Sequence, residues 1–270
     1  MARTQVVVAG SVGNVWVTER DEMALVWFRI VRISNVQTVR WLLGAVNGWE
    51  RPVQIRQAQR WVSRMETAGM IRRVNVGGPG GSVVWATFEV TQASKPNLYG
   101  QTTRHEIAVS AASARFAAAG YAWQRDERPD WAGGHQADGV AIDADDGAQL
   151  IEVELTPKRA PRYVSIFSAY SQRLHRGDAS RIVYLCNPDS ARAVRTALKQ
   201  PMGRRIAERV DVHDVFDPQT TFWSDETLPT WLTPPQARSQ EIPSMPADAA
   251  ASGVAPDSVD VVGSRRSARS

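Results

Sequence analysis

Four carboxylates in the middle of the chain have the types and spacing of a divalent-metal site. Glu152 and Glu154 alternate within the apolar run of residues 150–155, so a strand would place both side chains on one face. Asp138 lies one short loop earlier, and a hairpin would bring it beside Glu152, with Glu106 as a fourth acid on a helix. Clustered carboxylate oxygens suit Mg²⁺ or Mn²⁺, which activates water and holds a phosphodiester. The predicted metal ligands are Glu106, Asp138 and Glu152, and the chemistry would be nucleic-acid cleavage.

The same acids also fit a strand whose polar face meets solvent, and this alternative stays open. Lys158 follows Glu154 by four residues. An extended chain would carry it about 13 Å away, so it reaches the acids only if the strand ends near residue 156 and the chain turns back. The candidate catalytic set is Asp138, Glu152, Glu154 and Lys158.

A second group of residues suits contact with double-stranded DNA. Arginines recur every four residues on a predicted third helix and form one stripe, away from its apolar face. A neighbouring glutamine could make two hydrogen bonds to an adenine edge, and two arginines in the next strand could meet phosphates. The candidate DNA-binding residues are Arg56, Gln57, Arg60, Arg64, Arg72 and Arg73. An ordinary solvated basic face would show the same pattern.

Local signals predict three helices around this stripe. Thr18 and Asp21 have the spacing of a capping box at the start of the first helix. The second helix is predicted to start after Ser34. The third opens at Pro52, which suits a first helical turn, and ends before Gly69.

Two strands, residues 70–76 and 82–90, follow the helices and are joined by a glycine-rich tip. Three helices and such a hairpin describe a winged helix-turn-helix, which we assign to residues 1–92. Residues 1–97 contain 12 basic and 6 acidic side chains, whereas the two signs balance over residues 98–222. The positive charge therefore lies on the predicted DNA-binding domain.

The pattern changes after a linker at residues 91–102. The predicted elements are a helix at 103–119, strands at 121–125, 137–142 and 149–156, a helix at 160–175, a strand at 181–186, a helix at 190–205 and a strand at 210–215. This order describes a mixed α/β domain over residues 103–222. Residues 233–270 are rich in Pro, Ala and Ser, and we predict a disordered tail.

The amino-acid composition limits which classes of protein are possible. The chain has 270 residues and is 43% hydrophobic, which suits one large or two small domains. The single cysteine, Cys186, excludes a disulfide scaffold and fits a reducing compartment. His105, His135, His175 and His213 are scattered without zinc-binding spacing, so we expect surface or packing roles. No stretch is long and apolar enough to span a bilayer, and we expect a cytoplasmic protein without membrane contact.

The order of elements, with Asp138 followed by Glu152-x-Glu154, resembles the PD-(D/E)xK nuclease superfamily. Ala137-Asp138-Gly139 would correspond to its Pro-Asp-Gly tract and Glu152 to its acidic metal ligand. The resemblance implies a restriction-endonuclease-like fold for the second domain. Where the signature ends in Lys, however, this chain has Glu154, so Lys158 would act as a displaced helper.

Over roughly residues 15–200, the chain is similar to the replication-relaxation protein family of plasmids and other mobile elements. The tracts that carry the similarity are Thr18-Glu19-Arg20-Asp21, the run from Arg64 to Ile71, Ala137-Asp138-Gly139, and Glu152-Val153-Glu154 followed by Tyr170. The resemblance implies a DNA-binding accessory protein for replication, relaxation or mobilisation. A relaxase or a replication protein would be its partner besides double-stranded DNA.

Three functions follow as hypotheses. The first is a DNA-binding accessory factor whose nuclease-like domain is inactive and needs no cofactor. The second is an active endonuclease that uses Mg²⁺ or Mn²⁺. The third is a winged-helix transcriptional regulator whose second domain binds a ligand or dimerises. The sequence leaves open whether the chain is an enzyme and specifies no oligomeric state.

Overall fold

The computed structural model describes residues 15–76, 81–100, 102–131 and 133–232, and the backbone of residues 3–6. Over these residues the chain is mixed α/β, with helices packed on a three-stranded and a five-stranded sheet. They belong to one compact unit. None of the helices in this part of the chain has the length and apolar character needed to cross a membrane. Most of the predicted glycine-rich tip, residues 77–80, and the predicted tail, residues 233–270, lie outside the described residues.

The first half combines helices with a small antiparallel sheet. Its elements are β1 (Arg3–Val6), β2 (Val15–Thr18), α1 (Glu19–Val31), β3 (Ile33–Asn35), α2 (Val36–Val46), α3 (Ile55–Thr67), β4 (Ile71–Asn75), β5 (Ser82–Ala86) and α4 (Phe88–Thr91). β1 pairs with β2, and the other strands are ordered β3-β5-β4, so β4 is an edge strand. Phe28, Val39, Val62 and Met65 are fully buried where the three long helices meet.

Side-chain caps explain where α1 and α2 begin. The predicted capping box is confirmed: the Asp21 carboxylate accepts the Thr18 N–H at 2.8 Å, and the Thr18 hydroxyl accepts the Asp21 N–H at 3.3 Å. The predicted cap of α2 is displaced by one residue. Asn35, not Ser34, accepts the N–H of Thr38 at 2.8 Å, because β3 continues through Ser34 and ends at Asn35, which is the residue directly before the helix.

Tertiary contacts displace two other predicted boundaries. Pro52 is predicted to open α3, but the helix begins at Ile55. Val53 is held extended, because its N–H donates to the Arg40 carbonyl at 3.1 Å and its carbonyl accepts from the Arg40 guanidinium at 2.9 Å. The second predicted strand of the hairpin is wrong beyond Ala86, where the chain turns into α4.

The second half is built on one mixed sheet. Its elements are α5 (Thr103–Ala118), β6 (Ala122–Gln124), β7 (Gly139–Ile142), β8 (Ala148–Glu154), α6 (Ala160–Arg176), β9 (Arg181–Cys186), α7 (Pro188–Leu198), α8 (Pro201–Arg204), a 3₁₀ turn (Ala207–Arg209) and β10 (Val210–Asp214). The strand order is β10-β9-β8-β7-β6; β6, β7 and β8 are antiparallel neighbours, and β8, β9 and β10 are parallel. The single helix predicted for residues 190–205 is wrong. Pro201 starts a separate helix, because proline has no N–H for the preceding turn.

The two halves share buried polar contacts where α1 and α2 meet α5. The Trp27 indole donates to the Ser113 hydroxyl at 2.8 Å. Arg115 lies between the rings of Trp41 and Trp223, at 4.7 and 4.5 Å from their centroids, and donates to the Trp223 carbonyl. Burial lowers the pKa of Arg115 to about 9. This junction fixes the first helix of the second half against the helices of the first.

Candidate nucleic-acid interface and acidic centre

The outward face of α3 carries two unpaired arginines. The helix buries Ala58, Val62 and Met65 against α1 and α2, so its other side faces solvent. Arg56 and Arg60 lie one turn apart on that side and are exposed. Within the described part of the chain, neither guanidinium makes an ion pair. We call Arg56 and Arg60 the α3 basic face.

Arg64, the third arginine of the predicted stripe, is bound inside the protein. Its guanidinium donates to both carboxylate oxygens of Asp21, and to the carbonyl of Trp16 at 2.7 Å. Burial raises the pKa of the Asp21 carboxyl, but hydrogen bonds from Arg64, Thr18 and Trp61 lower it more, so it lies below the ordinary 3.8. Arg64 therefore joins the end of α3 to the start of α1.

The remaining predicted DNA-contacting residues divide between two sides of the molecule. The Gln57 side-chain oxygen accepts the Gln54 N–H at 3.1 Å, which leaves its amide donors free. Arg73 lies on the α3 side of β4, where it pairs with Glu66 at 2.9 Å. Arg72 points to the opposite face, because successive strand residues alternate. Gln57 is thus next to the α3 basic face, and Arg73 contacts the later part of α3 through Glu66, whereas Arg72 lies on the other face of β4.

The predicted acidic residues meet at one end of the larger sheet. β7 pairs with β8 in the register that places Gly139 opposite Ile151, and the Asp138 N–H donates to the Ile151 carbonyl at 3.0 Å. The hairpin therefore sets Asp138 beside Glu152, as the short loop between the strands predicts. We call Glu106, Asp138, Glu152 and Glu154 the acidic centre.

Each acid on the α5 side of the centre has its own basic partner. His105 Nε2 lies 3.2 Å from Asp138 Oδ2, and Arg125 forms an ion pair with Glu106. Asp138 also accepts the Val153 N–H at 2.8 Å. Burial lowers the pKa of His105, but Asp138 and Glu106 raise it more, so the pKa is above the ordinary 6.5. Asp138 and Glu106 therefore favour the protonated form of the histidine.

Glu152 is buried on the α6 side of the sheet, where two donors hold it. His135 Nε2 lies 2.8 Å from Glu152 Oε1, and the Tyr170 hydroxyl donates to the same oxygen. Burial and the charge of Glu152 raise the pKa of Tyr170 well above its ordinary value, so the phenol stays protonated. Only 4% of the Glu152 side chain is exposed.

Glu154 is equally buried and pairs with Lys158. β8 ends at Glu154 and the chain turns back, so Lys158 reaches the acids in the way that the sequence allows. The Lys158 N–H donates to the Tyr163 hydroxyl at 3.2 Å, which fixes the turn. Burial raises the pKa of Glu154 more than Lys158 lowers it, so the net shift is upward.

The acidic centre as placed does not fit a divalent cation. Every one of its carboxylates already accepts from an internal donor. No group of three or more His, Cys, Asp or Glu side chains is placed to hold a metal ion in the described part of the chain. Two buried polar groups near the centre have no hydrogen-bond partner among the described residues, the Tyr184 hydroxyl and the Trp123 indole N–H, and both can donate a proton to an acceptor. The expected ligand set Glu106, Asp138 and Glu152 is thus occupied by protein groups.

The sequence analysis does not predict three of the side chains that contact the carboxylates of the acidic centre. His105 and His135 are expected to be surface or packing residues, but both bond to carboxylates. Arg125 follows β6 and is not singled out by any local pattern. One feature of the sequence could have indicated His105. It directly precedes Glu106, so a helix that places Glu106 at the end of the sheet also brings His105 near it.

Comparison of the chain with protein-family models, with curated proteins and with solved structures finds no match. The similarity to replication-relaxation proteins therefore stays a resemblance of short motifs and element order. What the chain does must be inferred from the contacts, burial and charge of its own residues.

Proposed function

We propose that the chain binds double-stranded DNA through the α3 basic face. The observation that carries this proposal is that Arg56 and Arg60 are exposed, lie one turn apart and make no ion pair within the described residues, while the opposite side of α3 is buried. Arginine is the side chain best suited to guanine edges and phosphates. Gln57 and Arg73 border the same surface, as a base-contacting and a phosphate-contacting residue.

The order of elements supports this assignment. The sequence α1-β3-α2-α3-β4-β5, with β5 between β3 and β4, is the order expected for a winged helix-turn-helix. In that motif the third helix enters the major groove and the hairpin lies beside the backbone. Arg73 is held by a partly exposed ion pair with Glu66, which is worth about 1 kcal/mol, so a phosphate can compete for it.

We propose further that this DNA binding serves replication, relaxation or mobilisation of a plasmid or related element. The order of α5 to β9 with Asp138 opposite Glu152 supports a PD-(D/E)xK-like second domain, and the combination with a winged helix supports the resemblance to replication-relaxation proteins. Cleavage is not part of the proposal, because the acidic centre does not fit a divalent cation.

The test is a fluorescence-anisotropy titration of a duplex of about 30 base pairs, roughly 100 Å long, over a series of salt concentrations. The variant is R56A/R60A. Loss of two phosphate-neutralising charges should weaken binding at least about tenfold at low salt and reduce the slope of log affinity against log salt by about two.

R204A/R205A is the matched control, because Arg204 at the end of α8 and Arg205 directly after it are both exposed and the change in net charge is the same. α7 runs back from the end of β9, so α8 lies at the end of the sheet opposite to the acidic centre. Equal binding by the two double variants would refute the role of α3. A wild-type protein that binds no duplex at low salt would refute the function itself.

A further inference from the structure

The acidic centre carries its own counter-ions. Asp138, Glu152, Glu154 and Glu106 contact His105, His135, Lys158 and Arg125, in that order. A nuclease centre needs its carboxylates free for a metal, and an unpaired acidic cluster repels the phosphodiester when the metal is absent. Here basic side chains of the protein lie where a metal would act.

Three exposed arginines lie next to, or one turn beyond, residues that contact the centre. Arg104 directly precedes His105, whose ring lies against Asp138. Arg159 directly follows Lys158, which pairs with Glu154, and Arg162 is one turn further along, with its N–H bonded to the Arg159 carbonyl at 2.9 Å. All three side chains are exposed and make no ion pair with any described residue. We call Arg104, Arg159 and Arg162 the arginine rim.

The centre and its rim together are positive. Arg125, Lys158 and the three rim arginines outnumber the four carboxylates even if both histidines are neutral, and protonated histidines add to the excess. Opposite charges that are paired and buried contribute little field outside, whereas exposed arginines attract an anion from solution. The net field at this end of the sheet therefore favours a polyanion.

Resting on the proposed DNA binding, we propose that the second half also binds a nucleic-acid backbone, through Arg159, Arg162 and Arg104, without any divalent cation. The internal cations of the acidic centre take the place of the metal, so the phosphodiester is held but no metal-bound water is generated. The second half would then be a contact surface for DNA and not a cutting site.

The decisive experiment repeats the duplex titration in EDTA with the surface variant R159A/R162A beside R204A/R205A and R56A/R60A. R159A/R162A should bind about tenfold more weakly at low salt, with a salt slope lower by about two, whereas R204A/R205A should match the wild type. If R159A/R162A matches R204A/R205A while R56A/R60A is weakened, the rim proposal is refuted and α3 binding stands. Failure of the wild type to bind refutes the proposed function instead.

A second experiment tests whether DNA binding is independent of a divalent cation. The wild type is titrated with the duplex in Mn²⁺ and in EDTA plus NaCl at equal ionic strength. The two affinities should agree within about twofold, because screening is then the same in both solutions and no cation site contributes. A gain of about tenfold in Mn²⁺ that E152Q abolishes would overturn the proposal, because it would mean that the carboxylates release their internal partners and bind the cation.

Discussion

Arg60 and Arg64 lie one turn apart on α3, yet the structure predicts opposite consequences for their replacement by alanine. Arg64 donates to both oxygens of Asp21, whose side chain is 4% exposed, while Arg64 itself is 38% exposed. Breaking a buried ion pair costs about 3–5 kcal/mol, whereas an exposed pair is worth less than about 1 kcal/mol. The half-exposed guanidinium places R64A between these limits, at about 2 kcal/mol of unfolding free energy.

A loss of about 2 kcal/mol should lower the melting temperature by roughly 4–8 °C in a chain of this size. R60A removes no internal contact and should change stability by less than about 0.5 kcal/mol. For DNA affinity the order should be reversed, with the larger loss in R60A. R60A should lose about 1–3 kcal/mol of binding free energy, and R64A should stay within about twofold of wild type at temperatures where it is folded.

Urea denaturation and anisotropy titration on the same preparations measure both quantities. Two results would refute the reasoning: an R64A protein as stable as wild type, or an R64A protein that is fully folded at the assay temperature and binds DNA as weakly as R60A. The first would mean that the contact between Arg64 and Asp21 contributes nothing. The second would return Arg64 to the DNA-binding surface.

Three further predictions concern stability and reactivity. The folded-state pKa of the Asp21 carboxyl is lowered, so its ionised form stabilises the fold above the unfolded-state pKa, and this stabilisation declines from about pH 5 downward. The denaturation midpoint of D21N, followed against pH, should lack that part of the decline. Burial raises the pKa of the Cys186 thiol, so iodoacetamide should modify it only in denaturant; rapid modification of the native protein would contradict its burial. In G139A the new Cβ would lie 2.1 Å from the Trp123 ring, and thermal unfolding should show a loss of at least about 2 kcal/mol; an unchanged melting temperature would show that Trp123 moves freely.

Signals that act within a few residues predict much of the fold. The capping box of Thr18 and Asp21 fixes the start of α1, because hydroxyl and carboxylate satisfy each other's backbone N–H. The short loop at residues 143–147 forces β7 and β8 to pair, and the period of two in a strand then sets Asp138 near Glu152 and Glu154. In these cases the residues that contact each other are also close in sequence or joined by a short loop.

The partners of the candidate site residues could not be predicted in this way. Arg64 is 43 residues from Asp21, and its periodic spacing on α3 reveals only which side of the helix it occupies. His135 reaches Glu152 from a loop without regular structure. Arg72 and Arg73 look equivalent in sequence, but strand alternation and Glu66 place them on different sides of the sheet. Such choices depend on tertiary packing.

Which cations remain without an internal partner decides where a polyanion can bind. Total charge does not reveal this. Arg64 and Arg125 are as positive in sequence as Arg60 and Arg159, yet the first two are bound to carboxylates, whereas the last two pair with no carboxylate in the described part of the chain. Both proposals rest on this distinction. If it is correct, double variants that remove the same charge must differ in DNA affinity according to the position of the arginines. The acidic centre must also tolerate DNA nearby, because each of its carboxylates accepts from an internal donor.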